Sequence, residues 1–168
     1  GCVSYSDAFF PDGSITKENF KRAYDRARVE VSHIRRNFKK GRWEEAVGSS
    51  GTLQAIEHLA IAEGWSDEGI NHRSLKELRK KLIKFQHVDA IDLEGLSDRR
   101  KSVITAGVAI ALAIFDGLDI DTLRTSSGAL REGVIYDLLG RLSHEDVRER
   151  TVQAMLTRYH ADHEVADL

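Results

Sequence analysis

Apolar residues recur at Phe20, Ala23, Ala27, Val31, Ile34 and Phe38, the three-and-four spacing of one helix face. Thr16 stands just before this run as an N-cap, and Ile15 and Phe20 flank it as a hydrophobic staple. Lys39 and Lys40 suit the negative end of the helix dipole and Gly41 supplies a stop, so the pattern predicts one helix over 17–40. The segment WEEAV (43–47) is short, partly apolar and followed by GSSG, and is expected to be a strand entering a tight turn. From Thr52, the positions Leu53, Ile56, Leu59 and Ala60 continue as a helix that ends near Gly64. After a polar loop at 64–73, Leu75, Leu78, Leu82 and Phe85 mark another helix, with Asn71 as its cap.

A short piece at 88–93 follows, and then Ser97 as the cap of a helix at 98–117. That helix contains the longest apolar run, Val103 to Phe115, shorter than the roughly 20 residues needed to cross a bilayer and suited to a buried core helix. Ile120 to Ser126 reads as a second strand, leading into a second glycine–serine turn at Ser126–Gly128. A helix at 131–139 is closed by Gly140. Leu142, Ser143 and Asp146 begin another helix running to about Tyr159, which sets a boundary at 140–143. Strands alternating with helices predict an α/β fold with a small sheet covered by helices. Two strands are too few for a stable sheet. The missing ones are expected before Gly1, because GCV reads like the end of a strand and the chain opens abruptly.

Composition changes this picture little. Net charge is −2 over 168 residues, so no basic field announces a nucleic-acid partner. The single cysteine, Cys2, excludes an internal disulfide framework and agrees with a reducing compartment. The first residues lack the basic and apolar regions of a secretory signal.

The candidate chemistry lies in the turns and the basic residues. Gly48-Ser49-Ser50-Gly51-Thr52 joins a strand to a helix, where glycines let backbone N–H groups approach an anion and hydroxyls donate to phosphate oxygens. The same residues also fit a plain strand-to-helix turn with a Ser or Thr cap, and no Gly-Lys-Ser/Thr follows as in a Walker sequence. The second turn, Ser126-Ser127-Gly128, fits a tight turn better than a phosphate contact. Basic residues gather at Arg35–Arg42, at Arg73–Lys84 and at Arg99–Lys101; most read as solvated helix faces. Arg99 and Arg100, however, sit in a first helical turn where the dipole disfavours cations, which makes one of them a candidate ligand contact beside the solvated-face reading. His160, Asp162, His163 and Glu164 cluster near the C-terminus and read as a polar tail ahead of a metal site.

The segments GCVS with its following Phe-Phe, WEEAVGSSGTLQAI, GLSDRRKSVITAGVAIALAIFDGL and SSGALREGVIYDLL come in one order and spacing. In that order they resemble the exopolyphosphatase / guanosine pentaphosphate phosphatase family over essentially the whole chain. GRLSHEDVRERT resembles the point where longer members enter a helical C-terminal region. The resemblance implies an actin-like, ribonuclease-H-like fold, with this chain as most of the second of two domains that close over a phosphate-bearing substrate and Mg²⁺. Residues 1–140 then belong to that domain and 141–168 to a C-terminal helical domain. The first phosphate loop and the catalytic Glu are implied to lie outside the chain, so these 168 residues alone are expected to be inactive.

By the same resemblance, Gly48, Ser49, Ser50, Gly51, Thr52 and Arg100 contact the phosphate chain or nucleotide. Ser127 departs from the family pattern, which often has an acid there. The function expected first is release of terminal phosphate from inorganic polyphosphate, with hydrolysis of guanosine pentaphosphate next. A cytoplasmic homodimer without a membrane span or specific nucleic-acid binding completes the expectation, with peripheral membrane association left open. A non-catalytic α/β module binding a nucleotide or a protein is the alternative from another class.

Overall fold

The structure, a computed structural model, describes residues 1–38 and 40–142. They form α1 (Cys2–Phe9), α2 (Lys17–Phe38), β1 (Val47–Gly48), α3 (Gly51–Ala62), β2 (Ile70–Asn71), α4 (His72–Phe85), a 3₁₀ turn (Val88–Ala90), α5 (Asp98–Leu118), β3 (Thr122–Thr125) and α6 (Leu130–Leu142). The chain divides into two compact units, Gly1–Ser127 and Gly128–Leu168. Of the second unit, α6 is the described element.

The first unit is built around α5. Its residues Ile104 to Ala109, Ala111 to Ala113, Phe115 and Gly117 are buried. The neighbours of α5 are the helices α1, α2, α3 and α4, whereas the sheet is touched chiefly by α3 and α4. The expected burial of α5 is therefore present, with helices rather than the sheet as its main partners. By length and composition α5 could cross a bilayer, but its apolar surface is taken up inside the unit.

The sheet has three short strands in the order β1-β3-β2. β1 runs parallel to β3, with Val47 opposite Arg124 and Gly48 opposite Thr125. β2 runs antiparallel, with Ile70 opposite Leu123 and Asn71 opposite Thr122. A third strand thus comes from the segment expected to be a polar loop. Ile70 is fully buried there, a single apolar residue being too little to produce a readable alternation. The strand expected over 43–47 shrinks to Val47–Gly48, because β3 offers β1 only Arg124 and Thr125 as partners.

Caps explain where the helices begin. Thr16 Oγ1 accepts the Asn19 amide at 3.0 Å, and Ile15 and Phe20 are buried as the staple requires. Asn71 and Ser74 form a reciprocal capping box on α4, with 2.8 Å from the Ser74 amide to Asn71 Oδ1. Ser97 stands at the N-cap of α5 with the expected extended backbone, but its side chain makes no capping hydrogen bond.

Three further expectations are corrected. The opening GCV is not a strand end: Cys2, Tyr5 and Phe9 lie on one face of α1, and the Tyr5 and Phe9 rings stand 5.3 Å apart. Ile34 and Phe38 continue the apolar stripe of α2 yet are exposed, since buried positions on that helix end at Val31. Gly140 does not end α6, which continues to Leu142; a glycine inside a helix costs only about 1 kcal/mol and need not break it. The helix expected from Ser143 and the cluster His160, Asp162, His163 and Glu164 lie outside the described residues.

Candidate functional site

β1 and β3 are parallel, so both release the chain at one edge of the sheet, where α/β proteins place their ligands. The two glycine–serine turns begin there. They are joined directly, the Ser126 amide donating to the Gly48 carbonyl at 2.9 Å.

Each expected residue of the first turn has its own role. Gly48 is buried, and a Cβ on it would lie 2.5 Å from Leu53 Cδ1 and 2.9 Å from Leu123 Cδ2. Its missing side chain serves packing beneath the turn. Ser49 is exposed. Ser50 is the N-cap of α3, its Oγ accepting the Leu53 amide at 3.2 Å. The amides of Gly51 and Thr52, at the first two helical positions, have no intrahelical acceptor and stand at the positive end of the helix dipole. The capping reading of this turn is therefore met at Ser50, and the helix start presents two further amides of the kind an anion needs.

Thr52 is 8 % exposed, with Oγ1 3.3 Å from Cys2 Sγ and a long 3.5 Å from Arg100 Nη1. Its methyl is pressed against α5, where a Cβ on Gly107 would collide with Thr52 Cγ2. Arg100, in the first turn of α5, lays its guanidinium against Gly51, in the space a Cβ would need. The space beside Gly51 is thus taken by a movable guanidinium, and no left-handed backbone calls for a glycine there. Of the two arginines, Arg99 is exposed and Arg100, the one named as a candidate contact, is half-buried over the turn. The dipole penalty at the start of α5 is relieved in part by Asp98, which is paired with Lys101 at 2.9 Å and held below the usual carboxylate range by that hydrogen bond.

The structure thus brings Gly51, Thr52 and Arg100 into contact, with Ser50 alongside as the cap. In the remaining basic clusters, four residues are engaged elsewhere. Arg35 pairs with Asp119 at 3.4 Å, Lys40 with Asp121, Lys80 with Glu77 at 2.7 Å and Lys81 with Glu63 at 2.5 Å. Two residues absent from the sequence expectations also meet the site. Gln54 Nε2 donates to the Ser126 carbonyl at 2.7 Å, and the Glu57 carboxylate accepts from the amide and the hydroxyl of Thr125. Their spacing of three on α3 gave a signal of a shared face, without showing what that face would meet.

The model of the Ppx/GppA phosphatase family matches residues 1–142. The chain belongs to that family. It is similar to guanosine-5'-triphosphate,3'-diphosphate pyrophosphatases: 38% identical to that of Pseudoalteromonas translucida over 99% of this chain and 33% of the relative. To that of Photobacterium profundum it is 35% identical, over 96% and 32%. It therefore spans about a third of the length of these curated relatives. Among solved structures, the Aquifex aeolicus Ppx/GppA family member superposes with a TM-score of 0.67 at 25% identity, over 84% of this chain and 47% of that one. The type II variant from the same organism gives 0.65 at 25% identity, over 80% and 46%. The fold is accordingly the actin-like α/β fold of the Ppx/GppA family.

Proposed function

We propose that the whole protein hydrolyses guanosine pentaphosphate, with this chain supplying one phosphate-holding wall of the site. The observation that carries the phosphate reading is the guanidinium of Arg100 lying against Gly51, at the amide-rich start of α3. A fixed fork of N–H donors beside free backbone amides is complementary to phosphate oxygens and to nothing apolar. The choice of substrate follows the relatives, whose name describes a guanosine carrying a 5'-triphosphate and a 3'-diphosphate. In the reaction, water adds to the terminal 5'-phosphorus and the bond to its bridging oxygen breaks, giving guanosine tetraphosphate and inorganic phosphate. Arg100 and the α3 amides would neutralise charge on the phosphate chain and fix its position, the main task of protein groups in such transfers.

Inorganic polyphosphate, placed first on the sequence alone, becomes the second reading, because it shares the phosphate chain and lacks support from the relatives' names. Family membership weighs against the non-catalytic module. Mg²⁺, a cytoplasmic location, a homodimer and the assignment of 141–168 to a C-terminal helical domain belong to the same proposal. The chain's own residues at the turn do not fit the metal. Hydroxyls, amides and a guanidinium suit an anion, and no three of His, Cys, Asp or Glu gather among the described residues.

The test is phosphate release by the full-length protein from guanosine pentaphosphate and from inorganic polyphosphate, compared as kcat/KM. A higher value for guanosine pentaphosphate is expected. Release from polyphosphate alone would reverse the order of the two readings, and release from neither would end the proposal.

A further inference from the structure

β3 has two edges, and its amides alternate between them. The amides of Arg124 and Ser126 go to β1, donating to the Ala46 carbonyl at 3.1 Å and the Gly48 carbonyl at 2.9 Å. The Thr125 amide therefore faces the β2 side, but the pairing with β2 ends at Leu123. An unpaired amide there would be left without a strand partner. Glu57 takes its place: its carboxylate accepts the Thr125 amide at 3.4 Å and the Thr125 hydroxyl in a shorter bond. Three residues earlier on the same face of α3, Gln54 Nε2 holds the Ser126 carbonyl at 2.7 Å.

One helix thus builds the first turn at its N-terminus and grips the start of the second turn with its side. We propose that Gln54 and Glu57 are positioning residues that lock the second glycine–serine turn, at Ser126 and Ser127, onto the first, so that one phosphate chain contacts both. This rests on the phosphate reading of the first turn. Neither residue need touch the ligand, and Glu57 is poorly suited to do so, since a carboxylate repels phosphate. Its two oxygens are instead occupied by Thr125. The bland reading of the second turn, a tight turn and nothing more, predicts that Ser126 and Ser127 ignore an anion bound at Gly51.

The experiment is a titration of the chain with inorganic tripolyphosphate, followed at the amide resonances of Gly51, Thr52, Ser126 and Ser127. In the native chain all four are expected to move with one dissociation constant. In Glu57→Ala and in Gln54→Ala, Ser126 and Ser127 should stop following the ligand while Gly51 and Thr52 still respond, with affinity weakened about tenfold. Glu57→Gln, which keeps an acceptor for the Thr125 amide, should restore most of the coupling. A merely structural role would lower the thermal midpoint and leave the shared titration intact. Should Glu57→Ala lose the fold, Thr125→Val removes the hydroxyl donor alone and carries the same expectation. Native titration confined to Gly51 and Thr52, or variants that couple as the native chain does, would overturn the inference and leave the first turn's role standing. No movement at any of the four in the native chain would overturn the phosphate reading itself.

Discussion

Gly51 shows how a sequence can mark a glycine without giving the reason for it. The pattern Gly-Ser-Ser-Gly-Thr marks a turn, and a glycine in a turn suggests a left-handed backbone. The space beside Gly51 is taken: the Arg100 guanidinium fills the volume of a side chain. That neighbour is the far end of a flexible chain and can swing away. Gly51→Val in the full-length enzyme should therefore displace Arg100 and lower kcat/KM at least about tenfold, while stability changes by less than about 1 kcal/mol. Denaturant unfolding and steady-state kinetics on the same preparation check both halves. Loss of the fold would show that the site is rigid and not adaptable. Gly107 makes the contrast. Its missing side chain faces Thr52 inside the helix pack, where no free end can move aside.

At the scale of elements, the long helices and the strand β3, expected over 120–126 and found at Thr122–Thr125, are legible in the sequence, and the two-residue strands are not. α2, α3, α4 and α5 announce themselves by periodic apolar positions over several turns, and Thr16 and Asn71 by cap chemistry. β1 and β2 have two residues each, too few to carry an alternation, and exist because β3 lies between them. α1 does not read as a helix because its 8 residues are too few to establish a helical period. Polar contacts between helices are also beyond reach of the sequence. Asp116 on α5 accepts from the Tyr24 hydroxyl on α2 at 2.6 Å and meets His72 Nε2 on α4 at 2.7 Å. Burial, and then the bond to Asp116, push the Tyr24 phenol up to about 12, from an ordinary value of 10.0. Below pH 10 the phenol is protonated both folded and unfolded, and the bond contributes fully. As pH rises from 10 towards 12 the unfolded chain ionises first, so this contribution is lost. The stability difference between the native chain and Tyr24→Phe should shrink over that window, as urea midpoints at a series of pH values would show. A difference that stays constant would mean the hydroxyl is not held by Asp116.

For the whole molecule, the sequence carried the family and the α/β class, and it marked Gly48 to Thr52 with Arg100 as candidates because these lie in runs that resemble the family. It could not carry Gln54 and Glu57, whose partners Ser126 and Thr125 lie 72 and 68 residues away and are chosen by strand order. Nor could it separate Gly48 and Ser50, which pack and cap, from Gly51, Thr52 and Arg100, which meet one another. The account stands on that last group acting on phosphate. The most direct measurement is kcat/KM of full-length Arg100→Ala for guanosine pentaphosphate, with the unfolding midpoint taken on the same sample. Removing a charge-assisted donor worth roughly 1.5–3 kcal/mol should lower kcat/KM by about 10- to 100-fold and leave the midpoint unchanged. An Arg100→Ala enzyme with native kcat/KM would contradict the account, because the guanidinium over Gly51 would then have no part in holding the substrate.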